Sequence, residues 1–147
     1  MKPFTFRLDK ILDYRKYLKK TAQIDLFNAK NECLRREKEI IRLDEQRIAI
    51  AKNCMDEGFK GIDVPRYKIY QTYLQKIDHD LESAHISLKE GEEDVMTKKI
   101  LLKNKSIKAK TLETLKDVQH NKYMKSSERE DQKILDEIVI IGRERRV

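Results

Sequence analysis

Three histidines, two cysteines and one short acidic run are the residues here whose types could support chemistry. Asp78, His79, Asp80 and Glu82 offer carboxylate and imidazole ligands, and a divalent cation would need several of them on one face. On a helix, side chains one or two positions apart diverge, so this run does not converge on an ion. His85 and His120 stand apart from it. Cys33 and Cys54 have neither a CxxC spacing nor an adjacent histidine, which a redox centre or an activated thiolate requires. No glycine-rich loop is present to cradle a phosphate. The chain is not expected to be an enzyme, and neither a cofactor nor a metal is expected.

The elements that would carry these residues follow from composition. The 147 residues suffice for one domain, with 40% charged residues, 7% aromatics, 4 Gly, 2 Pro and no Trp. So few turn formers argue against an α/β enzyme or a β-sandwich. Hydrophobic residues still reach 39% and recur periodically, which argues against disorder. Abundant Lys, Glu, Leu, Ile, Arg and Ala point to long helices or a coiled coil. The longest apolar run, Ile138-Val139-Ile140-Ile141, is far short of the roughly 20 residues of a spanning helix. The start, Met1-Lys2-Pro3-Phe4-Thr5-Phe6-Arg7, lacks an export signal's apolar run, so a cytoplasmic location is expected. Cys33 and Cys54 lie 21 residues apart, about 31 Å along one helix, too far to pair within the chain. They are expected as reduced thiols in a packed seam.

Punctuation is concentrated at Gly58, Gly61 and Pro65. Gly58 suits a helix C-cap, Asp63 an N-cap, and Pro65 is tolerated in a first turn. The expected fold is all-α: a two-helix antiparallel coiled-coil hairpin over residues 1–147. Helix one covers about 4–57, the turn about 58–64, and a longer, overhanging helix two about 65–141. Steps of four and three from Tyr70 select Leu74, Ile77, Leu81, Ala84, Leu88, Gly91, Val95, Lys98, Leu102, Lys105, Ala109 and Leu112. Upstream the stripe reads Leu8, Ile11, Arg15, Leu18, Ala22, Leu26, Ala29, Cys33, Arg36, Ile40, Leu43, Arg47, Ile50 and Cys54, with a stutter through Leu18, Ala22 and Leu26. Arg15, Arg36 and Arg47 would have to reach outward from that seam. A fold centre near Lys60 sets residue i opposite roughly 121 − i, which meets Leu43 with Ile77 and sets Gly91 against Ala29 as a close approach.

That register leaves the chain beyond about Asp117 without a partner. Gln119 to Lys133 is almost wholly polar, and Ile134, Leu135, Ile138 and Ile141 then restore an apolar face with nothing in the hairpin to cover it. Such a face is expected to dock on another protein. The net charge of +7 is uneven. Residues 1–20 carry seven Lys or Arg against two Asp, residues 98–125 carry nine Lys against Glu113 and Asp117, and residues 76–97 are acidic. The register sets the two basic segments side by side, where an acidic partner would relieve their repulsion. Nucleic acid is not expected, because aromatic interleaving is thin and no nucleic-acid-binding signature occurs.

Three segments together resemble the flagellar export protein family FliJ. They are the opening Phe4-Thr5-Phe6-Arg7-Leu8-Asp9-Lys10-Ile11-Leu12-Asp13-Tyr14-Arg15, the start of helix two, Arg66-Tyr67-Lys68-Ile69-Tyr70-Gln71-Thr72-Tyr73-Leu74-Gln75-Lys76-Ile77, and the tail Glu130-Asp131-Gln132-Lys133-Ile134-Leu135-Asp136-Glu137-Ile138. The resemblance covers nearly the whole chain. It implies a stalk-like component of the flagellar type III export apparatus, similar to the central stalk of rotary ATPases. The implied partners are the export ATPase hexamer, the cytoplasmic part of the export gate membrane protein, and export chaperones. Membrane association would be peripheral, through those partners. On this resemblance Arg7, Lys10, Arg15, Ile134, Leu135, Ile138 and Ile141 are ring-side candidates, and Tyr73, Leu43, Ile50, Tyr70 and Ile77 gate-side ones. Tyr73 matches the family's aromatic position and lies off the strict seam. The alternatives are the stalk protein of a virulence injectisome, a nucleic-acid-binding coiled-coil arm, and a chaperone hairpin resembling a prefoldin subunit.

Overall fold

The computed structural model describes residues 2–146 and contains two α-helices, α1 (Asp9–Lys60) and α2 (Val64–Glu144), with no strand among the described residues. The fold is an antiparallel helical hairpin whose second helix overhangs the first. It divides into two compact units, Thr21–Leu102 and the pairing of Met1–Lys20 with Lys103–Val147.

Helix α1 begins five residues later than the expected start near Phe4. A turn in which the Asp9 amide donates to the Phe6 carbonyl, at 3.1 Å, leads into the helix, and the residues before it are non-helical. Asp9 then places a carboxylate in the first turn, where the helix dipole favours it. At the other end α1 runs straight through Gly58. Gly61 supplies the left-handed residue instead, with φ of 88°, and its amide donates to the Gly58 carbonyl at 3.4 Å. The expected C-cap was therefore three residues early. Asp63 occupies the N-cap of α2, its carbonyl accepting from the Tyr67 amide at 3.0 Å, and Pro65 lies in the first turn.

Every position of the expected α2 stripe, from Tyr70 to Leu112, is buried or half-buried. The α1 stripe departs in two places. Leu12 is the buried residue at 1% exposure, whereas Ile11 is 48% exposed. Gln46 is half-buried where Arg47 was expected, and Arg47 lies outside, its Nε donating to Asp78 Oδ1 at 2.6 Å. The register also moves with the turn. Arg36, set opposite His85 by a centre at Lys60, instead donates through Nη1 to the Ser87 carbonyl at 2.7 Å. Asp9, set opposite Leu112, takes Lys116 at 2.7 Å. Gly91 is a close approach as expected, but to the Arg36 guanidinium rather than to Ala29.

Within the Thr21–Leu102 unit the buried apolar residues are Ala22, Ala29, Leu43 and Ile77. Alanine at two of these positions lets the helix backbones come close. The turn end is clasped by a two-point pair, Arg66 Nε and Nη2 each donating to Glu57 at 2.8 Å. In the other unit the core is Phe6, Leu12 and Ala109.

Candidate functional site

No three histidine, cysteine or carboxylate side chains come together in a way that could hold a metal among the described residues. Cys33 and Cys54 are free and half-buried. Burial, with Glu37 and Glu92 nearby, pushes the Cys33 thiol above its ordinary range, which makes it a poor nucleophile. No helix among the described residues is long and apolar enough to cross a membrane. What remains are surfaces.

The first surface belongs to the unit that carries both chain ends. The non-helical opening is pinned onto α2. The Phe4 ring meets His120 edge-on with centroids 5.0 Å apart and Tyr123 at 5.6 Å. Tyr123 Oη donates to the Lys2 carbonyl at 2.7 Å. Lys116 Nζ lies 6.0 Å from the Phe6 ring centroid and also pairs with Asp9. α2 is thus covered as far as Tyr123, beyond the limit near Asp117 that the register gave. Two contacts offset the expected repulsion between basic segments: Asp9–Lys116, and Lys16–Glu113 at 3.8 Å. They occupy two of the four carboxylates that residues 1–20 and 103–125 possess, against fourteen Lys or Arg, and the surface stays strongly basic.

Arg7 and Lys10 are exposed there, and Arg15 is half-buried. Past Tyr123 and the half-buried Ser127, α2 is exposed on all sides. Ile134, Leu135, Ile138 and Ile141 are each more than half exposed. At steps of three and four they form one bare apolar face.

The second surface lies in the Thr21–Leu102 unit and holds the gate-side candidates. Leu43 and Ile77 are core, at 6% and 3% exposure. Ile50 and Tyr70 are half-buried in the seam. Tyr73 is 39% exposed, and its hydroxyl accepts from Gln46 Nε2 at 2.7 Å across the helix pair. Ile69, exposed one turn before it, continues the apolar surface. Sequence reasoning missed Ile69 and Gln46. The signal for Gln46 was its heptad neighbour Arg47, which solvates better outside.

The FliJ family model, described as flagellar FliJ protein, matches residues 4–146. The chain belongs to the FliJ family. No individual curated protein and no solved structure matches it. Membership makes it a flagellar, export-associated coiled-coil protein and favours the flagellar reading over the injectisome one. The FliJ match begins at Phe4, so it includes the opening segment that packs on His120 and Tyr123.

Proposed function

We propose that this FliJ-family chain is a stalk that binds the flagellar export ATPase hexamer, promotes its assembly and hydrolysis, and links it to the export gate. The observation that carries this reading is the bare face Ile134, Leu135, Ile138 and Ile141 on an unpartnered stretch of helix. An apolar stripe at helical spacing, left without a partner in its own chain, suits a groove on another protein. Arg7, Lys10 and Arg15 add positive charge to the same unit and suit an acidic lining of the ring.

The gate contact is assigned to the surface around Tyr73. Leu43 and Ile77 serve it by packing that holds Tyr73 in position, since neither reaches solvent. Ile50 and Tyr70 contribute their half-exposed edges. Export chaperones are proposed as escorted partners, and location at the membrane as peripheral, through the gate.

Light scattering of the export ATPase, with and without this chain, tests the ring contact. A chain ending at Lys125 retains every cross-helix contact of the opening segment. It should stay helical yet lose the promotion of hexamer assembly. Equal promotion by the shortened chain would contradict the assignment.

A further inference from the structure

The outward face of α2 in the unit that carries both chain ends is used neither by the seam nor by the ring reading. Ile107, Thr111, Thr114 and Val118 follow one another at steps of four, three and four, which sets them in one line along the helix. Leu115 borders the line, and Ile107, Leu115 and Val118 are each more than a third exposed. The Thr111 hydroxyl turns back and donates to the Ile107 carbonyl at 2.8 Å, so it needs no outside partner. The result is a shallow, mildly apolar strip.

Lysines flank this strip on both sides. Lys103 and Lys110 stand along one edge, Lys108 and Lys122 along the other, and Lys125 closes the line. All five are exposed, and among the described residues none of them enters an ion pair. Residues 103–125 hold two carboxylates: Glu113 is turned to Lys16 of α1 at 3.8 Å, and Asp117 lies at the margin of the strip. Five unpaired cations thus meet one carboxylate, an imbalance that the chain itself does not offset. The stretch holds no arginine, the planar two-point donor that suits a fixed carboxylate or base edge. Flexible lysine ammonium groups act as point charges and suit a surface whose anions are mobile. The stretch's two rings, His120 and Tyr123, are taken by Phe4, so no stacking platform for a nucleic-acid base faces outward.

We infer that residues 103–125 of α2 bind directly to a membrane surface rich in anionic phospholipid, with the helix lying along the bilayer. Ile107, Leu115 and Val118 settle at the boundary between headgroups and acyl chains, while the lysine stems on either side lift their ammonium groups to the phosphates. An anionic bilayer supplies both the negative charge and the apolar floor that this face matches, whereas nucleic acid supplies phosphates with no apolar floor. The contact is direct and is separate from the proposed route through the gate. The ring reading uses Arg7, Lys10, Arg15 and the tail beyond Tyr123, and each proposal stands without the other.

Vesicle flotation with the full chain tests this. The chain should float with vesicles of phosphatidylcholine mixed with phosphatidylglycerol and not with phosphatidylcholine alone, and added salt should weaken the binding. Free glycerol phosphate should not compete. Lys103→Ala joined to Lys110→Ala should weaken binding about thirtyfold. Ile107→Asp should weaken it about tenfold. Circular dichroism should stay unchanged in both variants, since all three side chains are exposed. Ile138→Asp should bind as the parent does. The chain has no tryptophan, so Ile107→Trp gives a single emission, which should move to shorter wavelength on the anionic vesicles. No flotation of the folded chain, equal flotation with both kinds of vesicle, or indifference to both α2 variants would overturn the proposal. So would loss of flotation in Ile138→Asp alone, which would place the contact in the tail. Single-stranded RNA or polyglutamate binding through Lys103 and Lys110 while the anionic vesicles do not would overturn it in favour of that partner.

Discussion

Arg36 lays its guanidinium over Gly91, and its Nη1 donates to the Ser87 carbonyl oxygen of the facing helix at 2.7 Å. Ser87 lies one turn before Gly91, and a side chain at Gly91 would crowd the guanidinium that makes this bond. A Cβ there would be 3.1 Å from Nη1 and 3.4 Å from Cδ. An arginine in the seam is thus accommodated by a glycine opposite, and Glu32 Oε1 takes its Nε at 3.3 Å. Gly91→Leu should expel the guanidinium and destabilise the chain by about 1–3 kcal/mol in urea unfolding. Gly91→Ala should stay within about 1 kcal/mol, because helix propensity offsets a small shift of a flexible tip. Arg36→Ala combined with Gly91→Leu should recover part of the loss. A leucine tolerated with Arg36 in place would contradict this packing.

The α1 register predicts opposite outcomes at adjacent residues. Leu12→Ala should cost about 2–4 kcal/mol, since the side chain is almost fully enclosed. Ile11→Ala should cost less than about 1 kcal/mol. Urea midpoints of the two variants decide it, and the reverse order would restore the simple heptad through Ile11.

Much of this was legible in the sequence. The α2 stripe needed only the four-three spacing, because its one basic stretch, Lys98 to Lys105, keeps long stems that reach out of the seam. α1 was harder at Ile11 and Leu12, where two adjacent aliphatic residues compete and a stutter lies downstream. Only the cross-helix packing chooses between them. The opening segment was misread as helix because its determinant, Tyr123, is more than a hundred residues away. The turn was displaced because Gly58 and Gly61 both fit a C-cap, and local sequence does not say which adopts a positive φ. The apolar tail was legible as bare, since no partner sequence remained for it.

The opening segment offers its own test. Phe4→Ala removes ring contacts with His120 and Tyr123 worth about 0.5–1.5 kcal/mol beyond simple burial. Amide exchange should rise in residues 2–8 while α1 beyond Leu12 stays protected. Exchange rising equally along α1 would mean that the segment nucleates the helix instead of capping it.

Acid should loosen the turn clasp. Arg66 holds the Glu57 carboxyl below the usual carboxylate range, chiefly through its hydrogen bond. A folded-state value below the unfolded one contributes stability above the unfolded value, about pH 4.3, and that contribution is lost as pH falls through the folded value. Arg35 and Arg42 act the same way on Glu32 and Glu39. The urea midpoint should therefore fall as pH drops below about 5, and Glu57→Gln should make that fall shallower. A Glu57→Gln profile superimposable on the parent would show that the clasp does not contribute.

The stalk reading stands on the bare face of the α2 end. The most direct measurement is steady-state ATP hydrolysis by the flagellar export ATPase, titrated with the parent chain and with Ile138→Asp. Ile138 is well exposed, so its replacement should leave the unfolding free energy, from urea titration, within about 0.5 kcal/mol of the parent. The account predicts stimulation by the parent and about a tenfold higher concentration requirement for the variant. Equal stimulation by both proteins, or none by the folded parent, would contradict it.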